Sequence, residues 1–182
     1  MYKRSIDRFA LATALFMALF TSAVPSYAAG TPTGQFIVQA TVNFTCSVGY
    51  TSNIYFGEGY GISSPISSAG YTAWGVISLD CPAAEYWISL SKGAGAGATF
   101  AQRRMTSNTN SNDTLIYSLY LPGAVAPFAA AAVWGDGSEG SQKWRAQGQA
   151  TQLSLSFNAF IPGQQAPAAG TYFDTIVVTL SF

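Results

Sequence analysis

The sequence predicts an all-β protein, an antiparallel β-sandwich, on three observations. Apolar residues recur mostly at every second position, the period of strands half-buried against a core. Clusters of Gly, Pro, Asn and Ser interrupt these runs at short intervals, as turns do. Composition agrees: of 182 residues, 14% are aromatic and only 9% are charged, so strand-favouring residues dominate and helix formers such as Glu and Lys are scarce. The length suits one domain of about 100 to 200 residues.

The first segment is set apart from the fold. Met1 to Arg8 carry Lys3, Arg4 and Arg8, and the apolar run Phe9 to Phe20 follows. With Ser26, Tyr27 and Ala28 supplying small residues at the cleavage positions, residues 1–28 read as a secretory signal peptide cut after Ala28. The run is shorter than the roughly 20 residues that a membrane-spanning helix needs. Removing Lys3, Arg4, Arg8 and Asp7 from eight basic and eight acidic residues leaves five and seven, a slightly acidic mature chain with few charges. Export also bears on Cys46 and Cys81, the two cysteines of the chain. An oxidising compartment favours a structural disulfide between them over a metal site or a free thiol.

Along the mature chain the alternation marks the strands in turn. Phe36, Val38, Ala40, Val42 and Phe44 alternate with Ile37, Gln39, Thr41 and Asn43, and Ile54 with Phe56 begins a second strand before Gly57. Val76 to Cys81 forms a third, and Tyr86, Ile88 and Leu90 a fourth. Leu115, Tyr117, Leu119 and Leu121 alternate with Ile116, Ser118 and Tyr120, and Leu153, Leu155, Phe157 and Ala159 with Ser154, Ser156 and Asn158. The last strand places Tyr172, Ile176, Val178, Leu180 and Phe182 on one face. Loops fall at Gly93 to Gly97, Thr106 to Asp113, Ala124 to Val133 and Trp134 to Gly137. About seven short strands joined by turns predict a sandwich of immunoglobulin-like type.

The inventory for chemistry is poor. The chain has no histidine, hence no imidazole base, and no Ser, Cys or Thr nucleophile sits in a recognisable motif. The mature acids, Glu58, Asp80, Glu85, Asp113, Asp136, Glu139 and Asp174, form no diagnostic pair. Asp136 and Glu139 lack the regular oxygen ligands of a calcium loop, and Asp136-Gly137 reads as a hairpin turn. No catalytic site, cofactor site or metal site is expected. The balanced charge excludes an electrostatic nucleic-acid binder. Trp74, Trp87, Trp134 and Trp144 are expected to fill the core, the alternative being a sugar-stacking platform.

The order of short signals is more informative than any one of them. Gly34-Gln35 with its alternating strand, Cys46, Ile54 with Phe56-Gly57, Cys81 followed by Tyr86 and Ile88, and Leu115-Tyr117-Leu119-Tyr120 are followed by Trp134-Gly135-Asp136-Gly137 and Phe160-Ile161-Pro162. Gly170, Tyr172 and Asp174 then precede Val177 to Phe182. Together they resemble the spore coat protein U domain family, which includes pilins of the archaic chaperone-usher pathway.

The resemblance implies an immunoglobulin-like sandwich lacking its last strand and completed by a donor strand from a neighbouring subunit. The donor would be Gln35 to Asn43 within a segment spanning 29–43, with Phe36, Val38, Ala40 and Val42 pointing into the neighbour's groove and residues 44–182 forming the sandwich. Ile176, Val178, Leu180 and Phe182 would border the groove at the edge offered to a chaperone, with the carboxylate of Phe182 as an anchor. The implied partners are identical or related pilin subunits, a periplasmic chaperone and an outer-membrane usher, in a homopolymer without nucleic acid. The implied role is a structural subunit of a secreted surface pilus supporting adhesion and biofilm formation. A monomeric secreted carbohydrate-binding module and a coat or matrix protein of the same family are the alternatives.

Overall fold

The computed structural model describes residues 35–41, 43, 45–57, 60–148 and 152–182. The expected signal peptide, residues 29–34 of the segment 29–43, and Val42 lie outside the described residues. The chain divides into Met1–Thr41 and a body, Val42–Phe182.

Nine strands are present among the described residues of the body: β1 (Ser47–Thr51), β2 (Tyr71–Asp80), β3 (Glu85–Leu90), β4 (Arg103–Ser107), β5 (Thr114–Leu119), β6 (Trp144–Gln147), β7 (Leu153–Ile161), β8 (Tyr172–Phe173) and β9 (Val178–Ser181). They form a six-stranded sheet in the order β1-β2-β7-β5-β4-β8 and a three-stranded sheet in the order β6-β3-β9. Every strand pair is antiparallel. The longest ladder joins β2 to β7, from Tyr71↔Ile161 to Leu79↔Leu153, and every second residue from Ala73 to Leu79 and from Leu155 to Ile161 is buried, which fixes the face each strand turns to the core.

Inward residues of the two sheets meet in one core: Ile77 and Leu79 of β2, Tyr86, Ile88 and Leu90 of β3, Leu115 and Leu119 of β5, and Leu155, Phe157 and Ile161 of β7 are all buried. Trp134 lies fully inside, donating its indole N–H to the Ile88 carbonyl at 3.0 Å and meeting Phe157 edge-on at 5.3 Å. A smaller cluster of Phe100, Tyr120 and Val133, with Phe128 and Phe160 against it, pins the loop after β5 to the sheet. Within that loop, where alternation predicts no element, Ala130–Ala132 makes one 3-10 turn. Cys46 and Cys81 are joined as a disulfide, tying the start of β1 to the end of β2.

Three differences from the expected strands have physical causes. Ile54 and Phe56 begin no strand; β1 precedes them and is exposed along its whole length, so its residues carry no burial alternation. In β4 the inward residues are Arg103, Met105 and Ser107, a pattern that hides a strand from an apolar count. The final strand is broken: β8 pairs with β4 in the large sheet, β9 pairs with β3 in the small one, and residues 174–177 between them belong to no strand.

The Asp136-Gly137 turn also differs from a two-residue hairpin. Asp136 Oδ1 accepts from the Ser138 amide and hydroxyl, Gly137 takes φ of 89°, and the Ser141 amide closes the turn on the Ser138 carbonyl.

Candidate functional site

The chain's C-terminal stretch passes from one sheet to the other, and opposite it lie the residues after β1, 52–56, which belong to no strand. Between these two edges lies an open groove of about 600 Å³. One rim is formed by residues 51–56 and the other by residues 171–178. The floor is apolar: Ile77, Leu90, Met105, Leu119, Phe157 and Ala159. After the Ser52 amide bonds the Val76 carbonyl, no backbone hydrogen bond among the described residues leaves 53–56, and none joins this rim to the other. β1, β8 and β9 are each the last strand of their sheet. The sandwich is therefore incomplete along this seam, with edge backbone on both sides of an apolar trough.

Two polar side chains of the lining, Tyr117 and Asp174, are bonded to each other. The buried Tyr117 phenol donates to Asp174 Oδ2 at 2.7 Å. Asp174 Oδ1 accepts from the Ala94 amide at 2.8 Å and from the Thr175 amide at 2.7 Å. Burial, then the hydrogen bond to the Asp174 carboxylate, pushes the Tyr117 phenol well above its ordinary range. Close by, Arg103 is fully buried, and burial lowers its guanidinium to about 10, opposed by the nearby Tyr117 and Asp174. It remains a cation at neutral pH and gives its N–H groups to three carbonyls, those of Ser91, Phe100 and Trp134.

Of the residues assigned to the acceptor edge, Ile176 and Val178 line the groove. Leu180 is half-buried against the core, opposite Ile88, and Phe182 is 69% exposed. Of the residues expected to form a donor strand, Phe36 and Val38 are 86% and 84% exposed, and Ala40 is exposed too. Residues 35–41 belong to no strand, and Ile37, on the opposite side of the alternation, is equally open at 91%. The tryptophans divide: Trp134 is buried and Trp144 packs on the core, whereas Trp87 is partly open and Trp74 is 68% exposed on β2. Alternation alone points to neither Asp174 nor Tyr117 as partners, because one lies in a break between strands and the other reads as a core aromatic.

The Spore Coat Protein U domain profile matches residues 32–179. The chain belongs to this family. No curated protein matches the sequence significantly. Among solved structures, the family member is similar to a chain in the complex of CsuC and CsuE, a chaperone-tip adhesion subunit pre-assembly complex from the archaic chaperone-usher Csu pili of Acinetobacter baumannii. Identity is 21% and the TM-score 0.50, over 76% of this chain and 39% of that one, so this Spore Coat Protein U domain spans about two fifths of its neighbour's length. It also aligns with the Salmonella SafD adhesin at 14% identity and a TM-score of 0.43, over 75% of this chain and 81% of that one. A chaperone-tip adhesin complex of CFA/I fimbriae aligns at 13% identity and a TM-score of 0.38, over 71% and 41%. The fold of this family member is an immunoglobulin-like antiparallel sandwich.

Proposed function

We propose that the chain is a structural subunit of a surface pilus of the chaperone-usher type. It is exported to the periplasm behind residues 1–28 and polymerises by donor-strand exchange. Residues 29–43 are the donor segment: Phe36, Val38, Ala40 and Val42 insert into the groove of the next subunit while the backbone pairs with both rims. The body, 44–182, is the acceptor, and Ile176, Val178, Leu180 and Phe182 mark the edge taken first by a periplasmic chaperone. An outer-membrane usher releases the growing homopolymer, whose role is adhesion and biofilm formation.

The observation that carries this reading is the apolar groove between two rims that no backbone hydrogen bond joins among the described residues, in a chain whose leading segment holds exposed apolar side chains. Burying one large apolar side chain contributes about 1.5–3 kcal/mol, so Phe36, Val38 and Val42 together supply roughly 5–9 kcal/mol before entropy costs. Ala40 adds little and suits a shallow part of the groove.

Deleting residues 35–43 from the full chain, co-expressed with a chaperone and usher of this pathway, tests the reading. The shortened chain is expected to accumulate as a folded chaperone complex and to form no fibres by electron microscopy. Fibres from the shortened chain, or its failure to fold even with the chaperone, would refute donor-strand exchange. A coat or matrix protein of the same family would assemble into sheets or aggregates instead of linear fibres. The carbohydrate-binding alternative draws on the exposed Trp74, and it requires that Trp74→Ala abolish glycan binding by the monomer.

A further inference from the structure

Residues 174–177 form the stretch of rim that lies in no strand, and specific bonds at its two ends hold it. The Ser91 amide donates to the Val177 carbonyl and the Val177 amide donates to Ser91 Oγ, both at 2.9 Å. Ser91 is itself fixed from beneath, its carbonyl accepting from Arg103 Nε at 3.0 Å. At the other end, Asp174 clasps the Ala94 amide with one oxygen and the Tyr117 phenol with the other. The fit is close enough that a Cβ at Gly93 would collide with the Asp174 carboxylate, and Gly93 takes φ of 88°, which glycine alone adopts readily. Asp174 and Tyr117 both line the groove.

We propose that Asp174 is a positioning residue for strand uptake: its carboxylate, gripped by Tyr117 and Ala94, presets the backbone of this rim for pairing before a donor strand arrives. The inference rests on the donor-strand reading of the groove. A rim that must be ordered by the incoming strand is competent only part of the time, and apparent affinity falls by that fraction. A carboxylate accepting charge-assisted hydrogen bonds supplies the order that a neighbouring strand supplies elsewhere in the sheet.

The test measures uptake of a fluorescein-labelled peptide with the sequence of residues 35–43, in excess, by the full-length chain, following anisotropy for association and dissociation and recording melting separately. Asp174→Ala is expected to slow association about tenfold with dissociation unchanged. Asp174→Asn, whose amide oxygen still accepts from Ala94, is expected to fall between, and Tyr117→Phe to slow association less than Asp174→Ala does. A lowered melting temperature with a wild-type association rate in these variants overturns the proposal, since a merely structural role would act that way. So does an effect confined to dissociation, which would make Asp174 a contact of the bound strand. If Asp174→Ala does not fold, Asp174→Asn and Tyr117→Phe decide the matter by the same readouts. Failure of the wild-type chain to take up the peptide would sink the donor-strand reading itself, whereas uptake at one rate by wild type and all variants would sink only the role of Asp174.

Discussion

Arg103 carries an unusual burden for one residue. Its side chain has no exposure and bonds three carbonyls from separate segments, at 2.7–3.0 Å. Holding the cation there, with its pKa brought down to about 10, costs roughly 3 kcal/mol. Removing it orphans three buried acceptors, each at about 1–3 kcal/mol, so the loss outweighs the relief. Arg103→Met is therefore expected to destabilise the chain by a few kcal/mol in urea unfolding; a neutral or stabilised variant would show that the carbonyls find water. Nothing in the sequence distinguishes Arg103 from Arg104 beside it. Arginines are ordinarily surface residues, and only the three-dimensional arrangement of carbonyls singles one out.

Among elements, legibility followed burial. β2, β3, β5 and β7 have strictly alternating inward residues and were readable, with ends displaced by a few positions; β1 is exposed throughout, and β6 buries one small residue, Ala146. Neither leaves a periodic trace. The C-terminal stretch keeps its alternation from Tyr172 to Leu180 straight through the break at 174–177. The inward side was thus legible there, but the change of sheet was not, because side-chain period carries no record of which strand lies alongside. Two of the four residues assigned to the acceptor edge line the groove for the same reason: Ile176 and Val178 follow the period, while the pairing of Tyr117 with Asp174 depends on contacts between distant segments. The disulfide was the simplest case, since two cysteines allow one pairing. It closes a loop of 35 residues, and its loss is expected to cost about 4 kcal/mol on the chain-entropy account. Urea unfolding of the chain with and without reductant measures this, and a change below about 1 kcal/mol would show that the unfolded state is already compact.

At the scale of the whole molecule, apolar packing and backbone pairing dominate over charge. Only 9% of residues are charged, and the ion pairs among the described residues, Lys92 with Glu139 and Glu85 with Arg145, sit at the surface. Such pairs are screened and weak. Raising sodium chloride from about 0.05 to 1 M is accordingly expected to move the melting temperature by no more than about 3 °C, and a fall of about 10 °C would reveal electrostatics that the structure does not display. Where the disulfide sits has a mechanical consequence. Cys46 lies three positions after the end of the proposed donor segment, and its partner Cys81 follows directly on β2. Tension pulled through the tail of one subunit would thus be handed covalently to the strand with the longest ladder in the body, bypassing the short outermost strand that would otherwise be peeled away first.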